Sequence, residues 1–380
     1  MSPATSALPS KMGTQPSTSP GGLGGLVADF GKARSMVFPR VVLAGHGVLN
    51  EIGSMCTDFG FGKRGSIITG PTTLSLAGQR CADLLGGAGF EIVTTIAHEA
   101  TEDEVARVQK EIEAAHPSFI VAVGGGSKID IGKVIADRLR LPFVSVPTSA
   151  AHDGISSPRA SLHGAKTSTS IQAAMPLGIL ADTEVIIRAP FRLLASGCAD
   201  VVSNLTALLD WKLAVRLKNE EYSSTAATLA EYAAQEIVDH AAYIKPNLEE
   251  SAWIAIRPLL VAGISMSVAG SSRPCSGSEH LFSHALDKVA AHPGLHGEQC
   301  GIGSIMMMNL HGGDWRRIQR TLRMLGAPTH AEQIGVSADE VVRSLVMAHS
   351  IRPERYTILG ANGLTREAAQ RLARVTEVID

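Results

Sequence analysis

The sequence predicts an α/β N-terminal domain with a parallel, doubly wound sheet, followed by an all-α C-terminal domain. From Phe38 onward, short β-rich runs alternate with longer helical patterns. After Pro190 the chain continues as long amphipathic patterns rich in Ala and Leu. The length of 380 residues also suits two domains, since one domain usually has about 100–200 residues. We therefore predict a disordered arm over 1–34, an α/β domain over 35–187 and a helical domain over 188–380.

Each element of the N-terminal half follows from a local pattern. The arm is rich in Ser, Thr, Pro and Gly, and such a composition buries too little apolar area to offset its ordering entropy. The runs typical of strands are Val41–Ala44, Ser66–Thr69, Glu91–Thr95, Phe119–Val123 and Phe143–Val146. Helical patterns lie near 47–57, 73–87, 101–115 and 129–139. Strands separated by single helices favour a parallel sheet.

The C-terminal half shows helical periodicity, broken at Lys245-Pro246, Arg273-Pro274 and His292-Pro293. Its longest apolar stretch, 254–270, is interrupted by Arg257 and Pro258, so we predict no membrane span. The net charge of -2 offers no field that would hold nucleic acid or a membrane surface. We expect small molecules, or further copies of the chain, as partners.

Cysteine usage predicts a reducing location. The five cysteines are odd in number, far apart and without a Cys-x-x-Cys pair, which indicates neither a disulfide framework nor a cysteine-rich zinc site. The N-terminus has no charged segment followed by a continuous apolar run, so no export signal is predicted. A cytoplasmic protein is the simplest interpretation.

A glycine cluster follows the fourth predicted strand and opens a helical pattern, in Gly124-Gly-Gly-Ser-Lys-Ile-Asp130-Ile-Gly-Lys133. Glycines let the backbone approach an anion, and the first amides of the next helix have no partners within the helix. Asp130 and Lys133 lie one turn apart, so both can face a cleft. The glycines alone would fit an ordinary tight turn with a solvated Asp and Lys about as well as they fit an anion-binding loop. The strand-loop-helix context favours phosphate binding.

The spacing of this loop differs from the common dinucleotide fingerprint and from the P-loop. Gly-Gly-Gly-x-x-x-Asp-x-x-Lys on a fourth strand resembles the superfamily of iron-type alcohol dehydrogenases, glycerol dehydrogenases, glycerol-1-phosphate dehydrogenases and dehydroquinate synthases. The resemblance implies that a Rossmann-like domain receives the pyrophosphate of a nicotinamide dinucleotide here. The residues it would use are Gly124, Gly125, Gly126, Ser127, Lys128, Ile129, Asp130 and Lys133.

Histidines suited to a metal occur in the helical half. His280 and His284 lie at i and i+4, on one face of a helix, and His296 begins a His-Gly motif. Taken singly, such histidines are more often ordinary core or surface residues than ligands. The resemblance adds that the superfamily uses an Asp and two His as catalytic metal ligands, which implies Asp200, His280 and His296 with Zn²⁺, or with Fe²⁺ or Ni²⁺.

The segment from Val146 to Pro158 is similar to that of the glycerol-1-phosphate dehydrogenases, and the resemblance extends from about Phe38 to the helices after His296. It implies a substrate contact by Asp153 and cofactor contacts by Thr148, Ser149, Ala151 and Ser157. Two features depart from the pattern: Ser156 replaces the usual Ala, and the stretch 159–169 matches no substrate-binding residues. The chain lacks the Val-Asp-Ser-Ser-Val-Gly-Gly-Lys segment of dehydroquinate synthases.

The implied reaction is the metal-dependent, NAD(P)H-linked interconversion of dihydroxyacetone phosphate and sn-glycerol 1-phosphate. The ion would act as a Lewis acid on the substrate oxygen. His284 would contact substrate or relay a proton, or instead hydrogen bond to a metal ligand. No carboxylate follows the strand at Ile67–Thr69, so NADP(H) is expected beside NAD(H). The alternatives are a related polyol or phosphonate substrate, a cyclase of the dehydroquinate synthase type, and a non-enzymatic metabolite-binding protein.

Overall fold

Six parallel strands form the central sheet in the computed structural model of the chain, which describes residues 36–164 and 168–380. The strands are β1 (Val41–Gly45), β2 (Arg64–Thr69), β3 (Glu91–Ile96), β4 (Phe119–Gly124), β5 (Phe143–Pro147) and β8 (Gly178–Asp182). Their order in the sheet is β1-β8-β5-β4-β2-β3. The predicted parallel sheet is confirmed. The arm predicted over 1–34 lies outside the described residues.

The helices between the strands also follow the prediction closely. They are α1 (Ile52–Asp58), α2 (Pro71–Thr73), α3 (Gln79–Gly87), α4 (Glu102–Ala115) and α5 (Gly126–Leu139). A short helix that was not predicted, α6 (Thr183–Ile186), follows β8. The helix α5 begins three residues before the predicted start at 129. The reason is that the Gly125 carbonyl accepts hydrogen bonds from the amides of Lys128 at 3.0 Å and Ile129 at 3.2 Å, which draws the glycines into the first turn.

An antiparallel hairpin, β6 (Arg159–His163) and β7 (Ser168–Gln172), occupies a stretch for which the sequence predicts no strands. Only Ala160 and Leu162 alternate into the core along β6. Two apolar residues within a polar run give too weak a pattern to predict a strand. The hairpin follows β5 and lies next to α5, beside the glycine loop.

The core has two layers, one on each face of the sheet, and β4 contributes to both. All of its residues are buried, which is typical of a central parallel strand covered on both faces. Ile120 and Ala122 belong to one apolar cluster, while Phe119, Val121 and Val123 belong to the other. The first cluster continues into the helical half of the chain.

Eight longer helices make up the rest, and no strand occurs among the described residues after Asp182, so the predicted all-helical half is confirmed. They are α7 (Phe191–Lys218), α8 (Ser224–His240), α9 (Glu249–Ala269), α10 (Ser278–Val289), α11 (His296–Leu310), α12 (Trp315–Met324), α13 (Ala338–Ala348) and α14 (Arg366–Val375). The three predicted breaks all fall between helices. The chain thus changes from alternating strands and helices to helices alone near residue 187. A division into two domains at that point stays a prediction.

Two of these helices, α7 and α9, are long and apolar enough to cross a bilayer by length and composition. In the folded chain 83% and 72% of their most apolar windows are buried. Both helices therefore have the burial expected of core helices. Helix α7 packs against α8 and α11, and α9 packs against α8.

Candidate active site

A cavity of about 770 Å³ lies where the glycine loop meets helices α10 and α11. It is open beside the carboxyl ends of β4 and β5, the edge at which parallel α/β sheets bind ligands. Its volume lies within the range of cofactor and small-molecule sites. Residues from both halves of the chain line it, including Gly125 and Asp130 on one side and His280 and His296 on the other.

The glycine loop presents backbone to this cavity. Gly126 is the first residue of α5, so the free amides of the first turn lie at the cavity wall. Residues 70–73, which include the short helix α2, also line the cavity and carry no acidic side chain. An anion such as a diphosphate suits this wall, because the amides and the helix dipole both favour negative charge.

Most of the predicted cofactor-binding residues line the cavity: Gly125, Gly126, Ser127, Lys128, Asp130, Ser149, Ala151 and Ser157. Gly124, Ile129, Lys133 and Thr148 do not belong to the lining. Lys133 differs most from expectation, since its side chain is fully buried and does not face the cleft. Its ammonium donates to Asp130 Oδ1 at 3.1 Å and to the carbonyls of Gly154 and Arg159, which ties α5 to the segment after β5.

The three predicted metal ligands come together from three helices. Asp200 lies on α7, His280 on α10 and His296 at the start of α11. The Nε2 atoms of His280 and His296 each lie 3.7 Å from Asp200 Oδ1. Together with Cys300, these residues place one possible ligand atom each within 4.8 Å of one another. Of these four residues, His280 and His296 line the cavity.

The donor set fits a divalent ion of the zinc type. Asp200 Oδ2 accepts a hydrogen bond from the Asp153 amide at 3.2 Å, whereas the buried Oδ1 accepts none from a nitrogen or oxygen donor among the described residues. Buried polar atoms are nearly always paired, so this oxygen lacks a positive partner. Burial raises the pKa of Asp200 to about 7 and that of Asp153 to about 8, which a cation would reverse. Burial holds the pKa of His280 well below its usual range, leaving a neutral imidazole that can donate a lone pair.

Two further side chains orient the histidine rings. Glu279 is fully buried, and its Oε1 lies 3.0 Å from His280 Nδ1. Ser283 Oγ lies 3.2 Å from His296 Nδ1. Both contacts leave Nε2 directed at the cluster, as metal-bound imidazoles require. Sequence reasoning missed both residues, although a glutamate directly before a predicted ligand was the available signal for Glu279.

Close backbone contacts hold these helices together. A Cβ atom on Gly197 of α7 would lie 2.0 Å from the carbonyl oxygen of Ala150, in the loop after β5. A Cβ atom on Gly297 of α11 would lie 1.9 Å from the carbonyl oxygen of Ser196. Only glycine permits such approaches, so the positions of Asp200 and His296 are fixed by backbone packing.

The rest of the cavity near the cluster is polar. His284 Nδ1 is buried without a hydrogen-bond partner among the described residues, and its ring centroid lies 6.5 Å from that of His280. Arg159 and Arg352 also line the cavity. Burial lowers the pKa of Arg159, and repulsion from Arg352 adds to this shift. Neither arginine was predicted as a site residue, since each lies outside any motif.

Comparison with known proteins agrees with this fold. A family model described as iron-containing alcohol dehydrogenase matches residues 43–190. The probable glycerol dehydrogenase from Sinorhizobium meliloti has a TM-score of 0.75 at 18% identity, with 91% of this chain and 98% of that chain covered. A sulfoacetaldehyde reductase from Bifidobacterium kashiwanohense, solved in complex with NAD+, has a TM-score of 0.73 at 18% identity, with 92% and 100% covered.

The match over residues 43–190 and the shared fold both indicate the class of iron-containing alcohol dehydrogenases. Much higher similarity exists to two glycerol-1-phosphate dehydrogenases [NAD(P)+]. The protein from Methanothermobacter thermautotrophicus is 51% identical over 346 residues, which is 91% of this chain and 99% of that protein. The protein from Methanosarcina barkeri is 51% identical over 348 residues, 92% and 98% of the two chains. The chain belongs to the glycerol-1-phosphate dehydrogenase family, which confirms the predicted family and enzyme class.

Proposed function

We propose that this chain interconverts dihydroxyacetone phosphate and sn-glycerol 1-phosphate with NAD(H) or NADP(H). The observation that carries the proposal is that one cavity is lined by the glycine loop, by His280 and His296 of the Asp200 cluster and by two arginines. The names of the relatives specify glycerol 1-phosphate and NAD(P)+, which supports both the proposed substrate and the use of NAD(H) as well as NADP(H). The turn at 70–73 contains no carboxylate to repel a 2′-phosphate, which also supports use of both dinucleotides.

Asp200, His280 and His296 would hold one divalent ion, for which we propose Zn²⁺, with Fe²⁺ or Ni²⁺ as replacements. When bound, such an ion polarises the carbon–oxygen bond of the substrate as a Lewis acid. Glu279 and Ser283 keep the two rings in the orientation that this requires. The loop at 125–130, together with Ser149, Ala151 and Ser157, would hold the dinucleotide, whose nicotinamide supplies the hydride chemistry.

Asp153 and His284 are the proposed substrate contacts at the reacting end. Both line the cavity, and His284 lies one helical turn beyond His280 on α10. Burial holds the pKa of His284 well below its usual range, so the ring is neutral and can accept or donate a hydrogen bond at Nδ1. We propose that this nitrogen exchanges the proton of the substrate hydroxyl.

The phosphate of the substrate would bind at Arg159 and Arg352. The guanidinium of Arg159 donates only to neutral oxygens, those of Ser170 and Gln172, and Arg352 has no hydrogen bond or ion pair to any residue in the described part of the chain. Two half-buried guanidinium groups without a carboxylate partner favour an anion in the cavity, since guanidinium and phosphate form strong, often bidentate hydrogen bonds. This supports a phosphate ester over an unphosphorylated triose.

The test is oxidation of NADH and NADPH by metal-replete protein with dihydroxyacetone phosphate and, separately, dihydroxyacetone. We expect turnover with the phosphate ester and sn-glycerol 1-phosphate as the product. Arg352→Gln should lower kcat/KM for the ester about 10–100-fold and leave the weak reduction of dihydroxyacetone nearly unchanged. Arg257→Gln, on the exposed face of α9, is the matched control and should change neither.

An equal loss with both ketones would contradict a phosphate-binding role for Arg352. Turnover without net consumption of NAD(P)H would point to cyclase chemistry and overturn the proposed reaction.

We also propose a cytoplasmic location. The five free cysteines are all buried, which supports it. Self-association stays a prediction, which light scattering of the purified protein would test.

A further inference from the structure

Cys300 is a fourth potential donor at the Asp200 cluster. It lies on α11 one turn after His296 and is fully buried. Its Sγ atom lies 3.6 Å from His296 Nε2, the same ring nitrogen that faces Asp200. Side chains on a helix lean toward its N-terminus, so a residue four positions after His296 points back at that ring.

The distances match those between ligands of one ion. Zinc forms bonds of about 2.0–2.1 Å to nitrogen and oxygen and about 2.3 Å to sulfur. In a tetrahedral site, two ligand atoms on one ion are therefore about 3.4 Å apart for nitrogen and oxygen, and about 3.6 Å apart for nitrogen and sulfur. The chain shows 3.7 Å for both His–Asp200 distances and 3.6 Å for the His296–Cys300 distance. All four atoms also lie within 4.8 Å of one another.

The surroundings of the sulfur favour a ligand over a packing role. Cys275, which lines the cavity, donates to the Ala262 carbonyl at 3.3 Å, contacts Ser265 Oγ at 3.3 Å and also lies against Asp153. Cys300 instead contacts His296 and Asp200 of the cluster, together with Ser283, the serine that orients the His296 ring. The buried Asp200 Oδ1 accepts no hydrogen bond from a nitrogen or oxygen donor in the described part of the chain, which is a second sign that a cation belongs between these atoms.

We propose that Cys300 is a fourth donor to the ion, a sulfur ligand of the resting, substrate-free enzyme. The inference rests on the metal site of the proposed function. Sulfur ligands favour zinc and similar borderline or soft ions, whereas hard ions such as Mg²⁺ prefer oxygen. Cys300 therefore makes this centre select Zn²⁺, Co²⁺, Ni²⁺ or Fe²⁺ over Mg²⁺.

The test is spectroscopic and needs no turnover. The full-length protein is stripped of metal and loaded with Co²⁺, with the bound cobalt measured by elemental analysis. We expect a sulfur-to-cobalt charge-transfer band in the near-ultraviolet for the unaltered protein. Cys300→Ser should lose this band while still binding cobalt, because Asp200, His280 and His296 remain. Cys275→Ser, a second buried cysteine at the same cavity, is the matched control and should keep the band.

Bound cobalt without the band in the unaltered protein, or a band that persists in Cys300→Ser, would overturn the assignment of Cys300. If Cys300→Ser does not fold, the ¹¹³Cd chemical shift of the unaltered protein decides the question, since a sulfur ligand deshields cadmium strongly and a set of only nitrogen and oxygen ligands does not. Failure to bind any cobalt would overturn the metal site as well. Failure to reduce dihydroxyacetone phosphate would leave the cobalt result intact, so the two proposals are separable.

Discussion

Buried side-chain atoms without a hydrogen-bond partner among the described residues are more frequent in the helical half of the chain than in the sheet half. In the sheet half, Lys133 and Asp130 satisfy each other, and Asp130 Oδ2 also accepts from the Ser161 amide at 2.9 Å. In the helical half, the atoms without hydrogen-bond partners among the described residues are Asp200 Oδ1, Ser203 Oγ, both amide atoms of Asn204 and His284 Nδ1. Ser66 Oγ is the corresponding atom of the sheet half. Paired groups stabilise the fold, whereas groups left unpaired beside a cavity are available to a ligand.

Helix α7 carries two buried aspartates, Asp200 and Asp210, that differ in their hydrogen bonding. Asp210 is fully buried and accepts four hydrogen bonds, from the Ser278 amide and hydroxyl, the Ile358 amide and His311 Nε2. Asp200 on the same helix accepts one from a backbone amide, and its other oxygen accepts none from a nitrogen or oxygen donor among the described residues. The helical half is thus able to satisfy a buried carboxylate. The difference indicates that Asp210 serves the fold and Asp200 serves a ligand.

The sharpest test of this contrast exchanges each aspartate for asparagine. Asp200→Asn should lower kcat/KM about 10³-fold or more, because loss of the ion removes several kcal/mol of transition-state stabilisation. The melting temperature of the metal-free protein should not fall, since the variant removes an unpaired buried charge. Asp210→Asn is the control and should lower the free energy of unfolding by about 1–3 kcal/mol. If both variants lowered the free energy of unfolding equally, the proposed difference between Asp200 and Asp210 would be wrong.

In the sheet half, the largest effect on stability should come from Lys133. Lys133→Met removes three hydrogen bonds and leaves Asp130 buried without its cation, so the free energy of unfolding should fall by about 3–5 kcal/mol in urea titration. Adding Asp130→Asn to that variant should recover part of the loss. Lys110→Met, on the exposed face of α4, should stay within about 0.5 kcal/mol of the unaltered protein. A Lys133 variant of normal stability but weak dinucleotide affinity would instead place this lysine at the cofactor.

A smaller effect is expected at Glu279, which is buried in the helical half like Asp210 but contacts a proposed ligand. Glu279→Gln weakens the contact to His280 Nδ1 and should lower Zn²⁺ affinity about 10–100-fold in chelator competition. Glu298→Gln is the matched control, because Glu298 is equally buried on α11 but pairs with Arg192 at 2.6 Å. Unchanged affinity in Glu279→Gln would mean that Glu279 only fills the core.

The smallest expected effect concerns a carboxylate of the sheet half that is paired near the surface. Glu104 accepts from Arg107 and from the His98 amide, and these contacts lower its pKa from 4.5 to about 2, with the Arg107 hydrogen bond the largest cause. The stabilisation is therefore complete above pH 4.5 and lost as the pH falls toward 2. Glu104→Gln should lower the free energy of unfolding by about 1–2 kcal/mol at pH 7, a difference that shrinks between pH 4.5 and 2. Glu111→Gln, an exposed partner of the same arginine, should show almost no such dependence.

Most of the fold could be predicted from sequence because its elements carry strong local periodicity. The bounds of the five predicted strands differ from those in the structure by one or two residues at most, and the helical half begins where the pattern changes, but β8 was not among the predicted strands. The β6–β7 hairpin could not be predicted, since its pairing depends on α5 and Lys133 beneath it. The three ligands were expected from family resemblance. Arg352, Glu279 and Cys300 were not, because their roles depend on which helices meet, and no local pattern records that.

The glycines at 197 and 297 limit how this metal centre could be transplanted into another scaffold. A designer who copied only the Asp and the two His onto three helices of ordinary spacing would leave the imidazoles too far from the carboxylate, because side chains normally hold helix axes about 8–10 Å apart. Here the Gly197 Cα hydrogens face the Ala150 carbonyl and those of Gly297 face the Ser196 carbonyl, without any side chain between. The portable unit is therefore the ligands together with two close backbone contacts, one at Gly197 between α7 and the loop after β5, and one at Gly297 between α11 and α7.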